Sequence, residues 1–290
     1  MSRVLVIACG ALFVALSSFG QECRITTTMR VLNKHGMSNL SLTPEQLSAT
    51  IGSGSAKVVS VTQGPKPVTI MLLDISSSTK EVWGQSVMAA KQIAAGTGGG
   101  VDVVVFRERI LDHASGQEAT NKLLDRWATE KTSVGGTALY DSLIEVASAA
   151  KNPNTALVVI SDGGDNASRN SSDQTVKLFL NNGWPTVFGL VLDYAHDHTH
   201  REYFKKIVAG TGGLVAYPSS ASKVAQAANE LLAEINAPFT ITLQASQPVL
   251  KPEKLKIEVV GQDGKPSHGT EVAHVAEITR CDAAPPTSTN

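Results

Sequence analysis

The feature that most constrains this chain is a series of near-continuous apolar runs in its middle: "PVTIMLLD" (67–74), "VDVVVF" (101–106), "TALVVIS" (155–161), "TVFGLVL" (186–192) and "GLVAY" (213–217). A strand with one wet face alternates apolar and polar side chains, so a run without alternation needs cover on both faces. Between most of these runs the sequence reads as helix, over 80–95, 118–129, 138–151, 171–182, 200–209 and 222–236. Strands alternating with helices specify an α/β unit, because parallel strands need crossover connections that lie on the sheet faces. The pattern predicts a doubly wound, mostly parallel sheet over residues 66–237. "RILDHA" (109–114) is expected as a short third strand at one edge, giving the order 3-2-1-4-5-6 within the unit.

The flanks have a different texture. Residues 24–64 hold "RITTTMRVL" and "KVVSVT", broken by "NKHG" and "GSGS". Residues 239–280 hold "FTITLQA" and "KLKIEVVG", a "DGKP" turn, and "TEVAHVAEIT". Both read as short strands and turns. They are expected to form one discontinuous, sandwich-like β-rich domain from 21–65 and 238–281, with the α/β unit inserted and 282–290 as a flexible tail.

The first twenty residues, "MSRVLVIACGALFVALSSFG", carry basic Arg3, an uncharged core from Val4 to Leu16, and small Ser18 and Gly20. That is the pattern of a secretory signal. The core is shorter than the ~20 apolar residues of a membrane span, and no second run of spanning length follows; an uncleaved anchor is the alternative. The product is expected to be exported, to the periplasm or cell envelope or into the medium. Cys9 would leave with the signal, and Cys23 and Cys281 would remain. In an oxidising compartment such an isolated pair reads as a disulfide, which would bring the two ends of the mature chain together. No spacing motif specifies the pairing, and too few ligands are present for a thiolate zinc site. The net charge of -1 gives no electrostatic case for nucleic acid or an anionic membrane surface.

"MLLDISSSTK" (71–80) ends an apolar run in an aspartate followed by three serines. Alone, such a segment is a turn or a helix cap. In a doubly wound sheet, however, ligands bind beyond the carboxyl ends of the strands where strand order reverses. The first strand ends at Asp74, the fourth ends at Asp162, and the expected order makes them neighbours. "SVGGTALYDS" (133–142) adds Thr137 in a Gly-supported turn ahead of a helix. A hard divalent cation takes oxygen ligands, six in an octahedron at ~2.0–2.1 Å for Mg2+. Ser76 and Ser78 alternate after Asp74, so both hydroxyls can share one side while Ile75 turns to the core. Thr137 offers a third hydroxyl, and Asp74 and Asp162 supply charge directly or through water. Neutral hydroxyls leave the ion much of its positive character, so an open position would favour an anionic oxygen from outside. Asp165 and Asn166 are expected to shape the loop.

The D-x-S-x-S at 74–78, the Thr in "GGTALYD" and the Asp in "VVISDGGDN" together resemble the metal-ion-dependent adhesion site of von Willebrand factor A domains. The resemblance covers residues 66–237, and "FGLVL" followed by "FKKIVAGTGGLVAY" is similar to the end of such domains. It implies Asp74, Ser76, Ser78, Thr137 and Asp162 as metal ligands, with Mg2+ the expected ion and Mn2+ or Ca2+ as alternatives. It also implies a non-enzymatic binding module that grips an acidic side chain of a protein partner. The layout with a signal and β-rich flanks further resembles secreted von Willebrand A-related proteins of acidobacteria.

Two other readings stand beside it. The metal could merely stabilise a structural or assembly protein of the cell envelope. An aspartyl phosphotransferase could use Asp74, but would need a general acid two residues on, where Ser76 stands. "HDHTH" (196–200) reads as an exposed loop rather than a zinc site. "GTGGG" (96–100) and "GTGG" (210–213) lack the Lys-Ser/Thr of a phosphate loop and read as helix ends. Oligomeric state is not encoded in any of these features.

Overall fold

The computed structural model describes residues 23–29, 31–32, 42–130, 134–150, 152, 154–193, 201–247, 249, 253–260, 271–272 and 277–278. Strands β1 (Cys23–Met29), β2 (Val31–Leu32), β3 (Leu47–Ile51) and β4 (Gly54–Gln63) come first. The α/β part begins with β5 (Val68–Asp74), α1 (Trp83–Gly96), β6 (Val101–Phe106), β7 (Ile110–Ser115), α2 (Gln117–Thr129) and α3 (Leu139–Ala149). It continues with β8 (Thr155–Ser161), α4 (Ser172–Asn182), β9 (Thr186–Val191), α5 (Arg201–Gly210), β10 (Val215–Ala216) and α6 (Val224–Ile235). β11 (Phe239–Ala245), β12 (Glu253–Val259), β13 (Glu271–Val272) and β14 (Glu277–Ile278) follow.

The α/β sheet has the order β7-β6-β5-β8-β9-β10, which is the expected 3-2-1-4-5-6. β5, β6, β8, β9 and β10 pair in parallel. β7 is the expected edge strand and runs antiparallel to β6. The connection from Phe106 to Ile110 is too short for a crossover, so only a hairpin is open to it. Alternate residues serve opposite faces, as the pleat requires. Met71, Leu73, Val103, Val105, Val158 and Ile160 pack with Ile93 of α1, Leu124 of α2 and Leu231 of α6. Leu72, Val104, Leu157 and Val159 pack with Leu143 of α3, Phe179 of α4 and Phe204 of α5. β8 is buried at every position, which is why its sequence shows no alternation.

The flanks form a second sheet, ordered β1-β11-β4-β3-β12-β14 and antiparallel throughout. Leu47, Ala49, Ile51, Ile241, Leu243, Leu255 and Ile257 build its separate core. β2 and β13 make a short ladder of their own. β3 is an addition to the strands expected from sequence: "LSATI" mixes small and polar residues, and its alternating burial arises only between β4 and β12.

The two sheets meet at a joint. Gln63 of β4 lies opposite Phe239 of β11, so the strands leading into and out of the α/β part are neighbours. The Gly64 N–H and the Gln63 side-chain amide both donate to the Pro238 carbonyl, at 2.7 and 2.9 Å. The Asn154 side chain donates to the carbonyls of Pro65 and Lys66, at 3.2 and 3.1 Å. Gly99 packs so closely here that a Cβ would collide with the Pro67 carbonyl.

The signal segment 1–20, "HDHTH", Cys281 and the tail 282–290 lie outside the described residues. Among the described residues, no helix is long and apolar enough to cross a membrane.

Candidate metal-binding site

Parallel pairing of β5 with β8 sets Leu73 opposite Ile160, which brings Asp74 level with Ser161 and beside Asp162. Asp74 is wholly buried. Its Oδ1 accepts the Ser76 N–H at 2.8 Å, and its Oδ2 accepts the Ser161 hydroxyl at 2.6 Å. The first of these is the turn chemistry that "DISSS" suggests in isolation, so turn and site coexist. Burial, reinforced by the nearby Asp162 charge, pushes the Asp74 carboxyl up to about 7 despite the donors from Ser161 and Ser76. Among the described residues, no Lys or Arg enters the groups that act on it. Asp162 is partly exposed, and its Oδ1 accepts the Gly164 N–H at 3.1 Å.

The Ser76 and Ser78 hydroxyl oxygens stand 3.2 Å apart. Residues Ser77–Val82 form a 3-10 helix, so the two meet across a tight turn rather than by alternation along extended chain, as the sequence suggested. Two oxygens on adjacent vertices of a Mg2+ octahedron lie ~3 Å apart when each is ~2.0–2.1 Å from the ion. The serine pair therefore suits two ligands of one cation. Ser76 is buried, Ser78 exposed, and Ile75 joins the core.

Thr137 is buried in a turn where Gly135 has φ +88, a conformation that strains residues with a side chain. Hydrogen bonds tie this turn to both other loops. Ser77 donates to the Gly135 carbonyl through its N–H at 3.2 Å and its hydroxyl at 2.9 Å. The Thr137 N–H donates to Asn166 Oδ1 at 2.8 Å, and the Asn166 and Ala167 N–H groups return to the Thr137 carbonyl at 3.0 Å. Asp165 accepts the Tyr140 N–H at 2.9 Å and the Ser168 hydroxyl at 2.6 Å. Asp165 and Asn166 thus shape the loop, as expected. Asp74, Ser76, Ser78, Thr137 and Asp162 all lie in these mutually bonded loops at the reversal point of the sheet.

Two contributors escape sequence reasoning. Glu108, in the β6–β7 turn, accepts the Gly136 N–H at 3.0 Å and so braces the Thr137 turn; nothing local in "RER" signals that contact. Ser161 bridges the two carboxylates. Its only sequence mark is a hydroxyl that follows the apolar run 156–160 just before Asp162. Among the described residues, no group of three or more His, Cys, Asp or Glu side chains is placed to share an ion. The donor set here instead mixes two carboxylates with hydroxyls, a hard-oxygen combination suited to Mg2+.

A doubly wound sheet with hydroxyls and acids gathered at its strand-order reversal defines a von Willebrand factor A-type domain. A family model described as "VWA domain containing CoxE-like protein" matches residues 24–189, and the chain belongs to that family. Domains of this class commonly hold a divalent cation at the corresponding place. Among solved structures it is similar to a von Willebrand factor type A protein from Catenulispora acidiphila: TM-score 0.48, 11% identity, 90% of this chain and 74% of the other covered. An aerotolerance-related membrane protein from Bacteroides fragilis gives a TM-score of 0.43 and 18% identity, over 57% of this chain and 98% of the other. The pilus adhesin SpaC from Lactobacillus rhamnosus GG gives 0.47 and 12%, over 89% and 47%. No curated protein matches the chain.

Proposed function

We propose that this chain is an exported binding or adhesion module, not an enzyme, that engages an acidic group of a protein partner through a divalent cation. The ion, Mg2+ in the first instance, would be held by Asp74, Ser76, Ser78, Thr137 and Asp162, directly or through water. The observation that carries this reading is the buried Asp74 carboxylate beside a second acid, both within reach of the Ser161 hydroxyl. Two acids so placed repel each other in a low-dielectric setting, and a divalent cation would offset that repulsion. Asp74 and Asp162 would supply charge, the hydroxyls would complete the coordination, and a partner's carboxylate would take an open position. Ser76, standing where a phosphotransferase needs its general acid, weighs against the enzyme alternative.

Calorimetric titration of Mg2+ into chelator-treated protein tests the site, beside a Thr137→Ala variant. A one-to-one heat in the wild type that weakens in the variant is expected; a folded wild type that takes up no Mg2+ would sink the reading. The proposal extends to a Cys23–Cys281 disulfide. Cys23 is buried at the start of β1, as an end-tying bond would have it. Peptide mapping without reduction should recover the two cysteines on linked fragments.

A further inference from the structure

We propose that Ser161 is a positioning residue that holds the two acids in the arrangement that receives the cation, and so sets the affinity of the site. The inference rests on the metal reading given above. Ser161 is fully buried at the last position of β8. Its oxygen accepts the Gly163 N–H at 3.0 Å, which fixes where the hydroxyl sits. Its proton goes to Asp74 Oδ2 at 2.6 Å, while Asp162 Oδ1 stands 3.4 Å away. A single hydroxyl therefore lies between both carboxylates, anchored by the backbone of the loop that carries one of them.

Two physical effects follow. Asp74 is gripped on both oxygens, by the Ser76 N–H and by the Ser161 hydroxyl. Its rotamer is thus settled before an ion arrives, and binding need not order it. The hydroxyl dipole also points its positive end at the carboxylate pair, easing their repulsion in the closely spaced state that a shared ion needs. Removing the hydroxyl would free Asp74 Oδ2 to turn and would leave the Gly163 N–H without its acceptor.

The test is Mg2+ titration, by calorimetry, into the chelator-treated full chain carrying Ser161→Ala, Ser161→Cys or Ser161→Thr. Melting temperature in chelator is recorded for each. Alanine and cysteine remove the strong donor, and cysteine also fills the space. Both are expected to weaken Mg2+ binding by ~10–100-fold at unchanged stoichiometry, the usual effect of losing a group that orients a ligand. Threonine keeps the hydroxyl and is expected to stay within about threefold of wild type. A purely structural role would lower the chelated melting temperature while leaving Mg2+ affinity untouched, and that result would overturn the proposal. So would threonine losing affinity as fully as alanine. A wild type that binds no Mg2+ would instead overturn the underlying metal reading, and this inference with it.

Discussion

Replacing Asp74 by Asn should remove a fall in stability with rising pH from the metal-free protein. In the fold the carboxyl sits at about 7, against 3.8 when unperturbed, chiefly because it is buried. Between those values the native state holds a proton that the unfolded chain has released. Stability then falls as pH rises through this window, and the loss is complete above the native value. The gap of about three pH units at ~1.36 kcal/mol each corresponds to about 4 kcal/mol. For a chain of this size that is roughly 10 °C in melting temperature. Asparagine keeps the shape without the charge. Its oxygen can accept the Ser76 N–H, and its amide can donate to Ser161, which then turns its own proton toward Asp162. Thermal melts of wild type and Asp74→Asn in chelator, from pH 4.5 to pH 8, isolate this group because other titrations cancel in the difference. The variant should gain on the wild type as pH rises, by about 3 kcal/mol across that range. Excess Mg2+ at pH 8 should recover most of that difference, stabilising the wild type by ~2.7 kcal/mol at a hundredfold excess over Kd and leaving the variant unmoved. Parallel melting curves across the whole range would refute the reasoning.

Gly135→Ala places a side chain at φ +88 with its Cβ 2.7 Å from Glu108 Oε1. It should cost about 1–3 kcal/mol in denaturant melts and weaken Mg2+ binding through the Thr137 turn. Leu157→Ala empties a fully buried position between β5 and β9 and should cost ~2–5 kcal/mol, read the same way, with Mg2+ affinity retained. Asn154→Ala removes both donors to Pro65 and Lys66 at the far end of the sheet. It should cost about 1 kcal/mol in the same melts, again with Mg2+ binding retained; a loss of affinity there would show the joint and the site to be coupled.

The α/β half was legible because burial on both faces removes alternation from strands such as β8, and helices fill the intervals between them. The doubly wound order 3-2-1-4-5-6 makes the strands ending at Asp74 and Asp162 neighbours, so that pairing was legible too. The direction of β7 was not legible in the same way: it depends on the turn after Phe106 being too short to cross the sheet. β3 was missed because "LSATI" owes its burial to neighbours in two distant segments, β4 and β12. Within the site, residue types and order were readable because D-x-S-x-S is local. Ser161 and Glu108 were not, since the contact that ties each into the site reaches a residue 87 or 28 positions away.

The placement of Asp74 also has a mechanical consequence. β5 lies inside the sheet, paired over its length with β6 on one side and β8 on the other. Asp74 is at one end of that strand, and residues 64–67 lead from its other end to β4, which is itself held between β11 and β3. A pull applied at the Asp74 end therefore runs lengthwise down β5 and on into the second sheet. Force in that direction shears two ladders at once, so many hydrogen bonds must fail together. The same pull on an edge strand such as β7 or β10 would load a single ladder. The candidate grip thus sits on a strand that meets tension with two ladders.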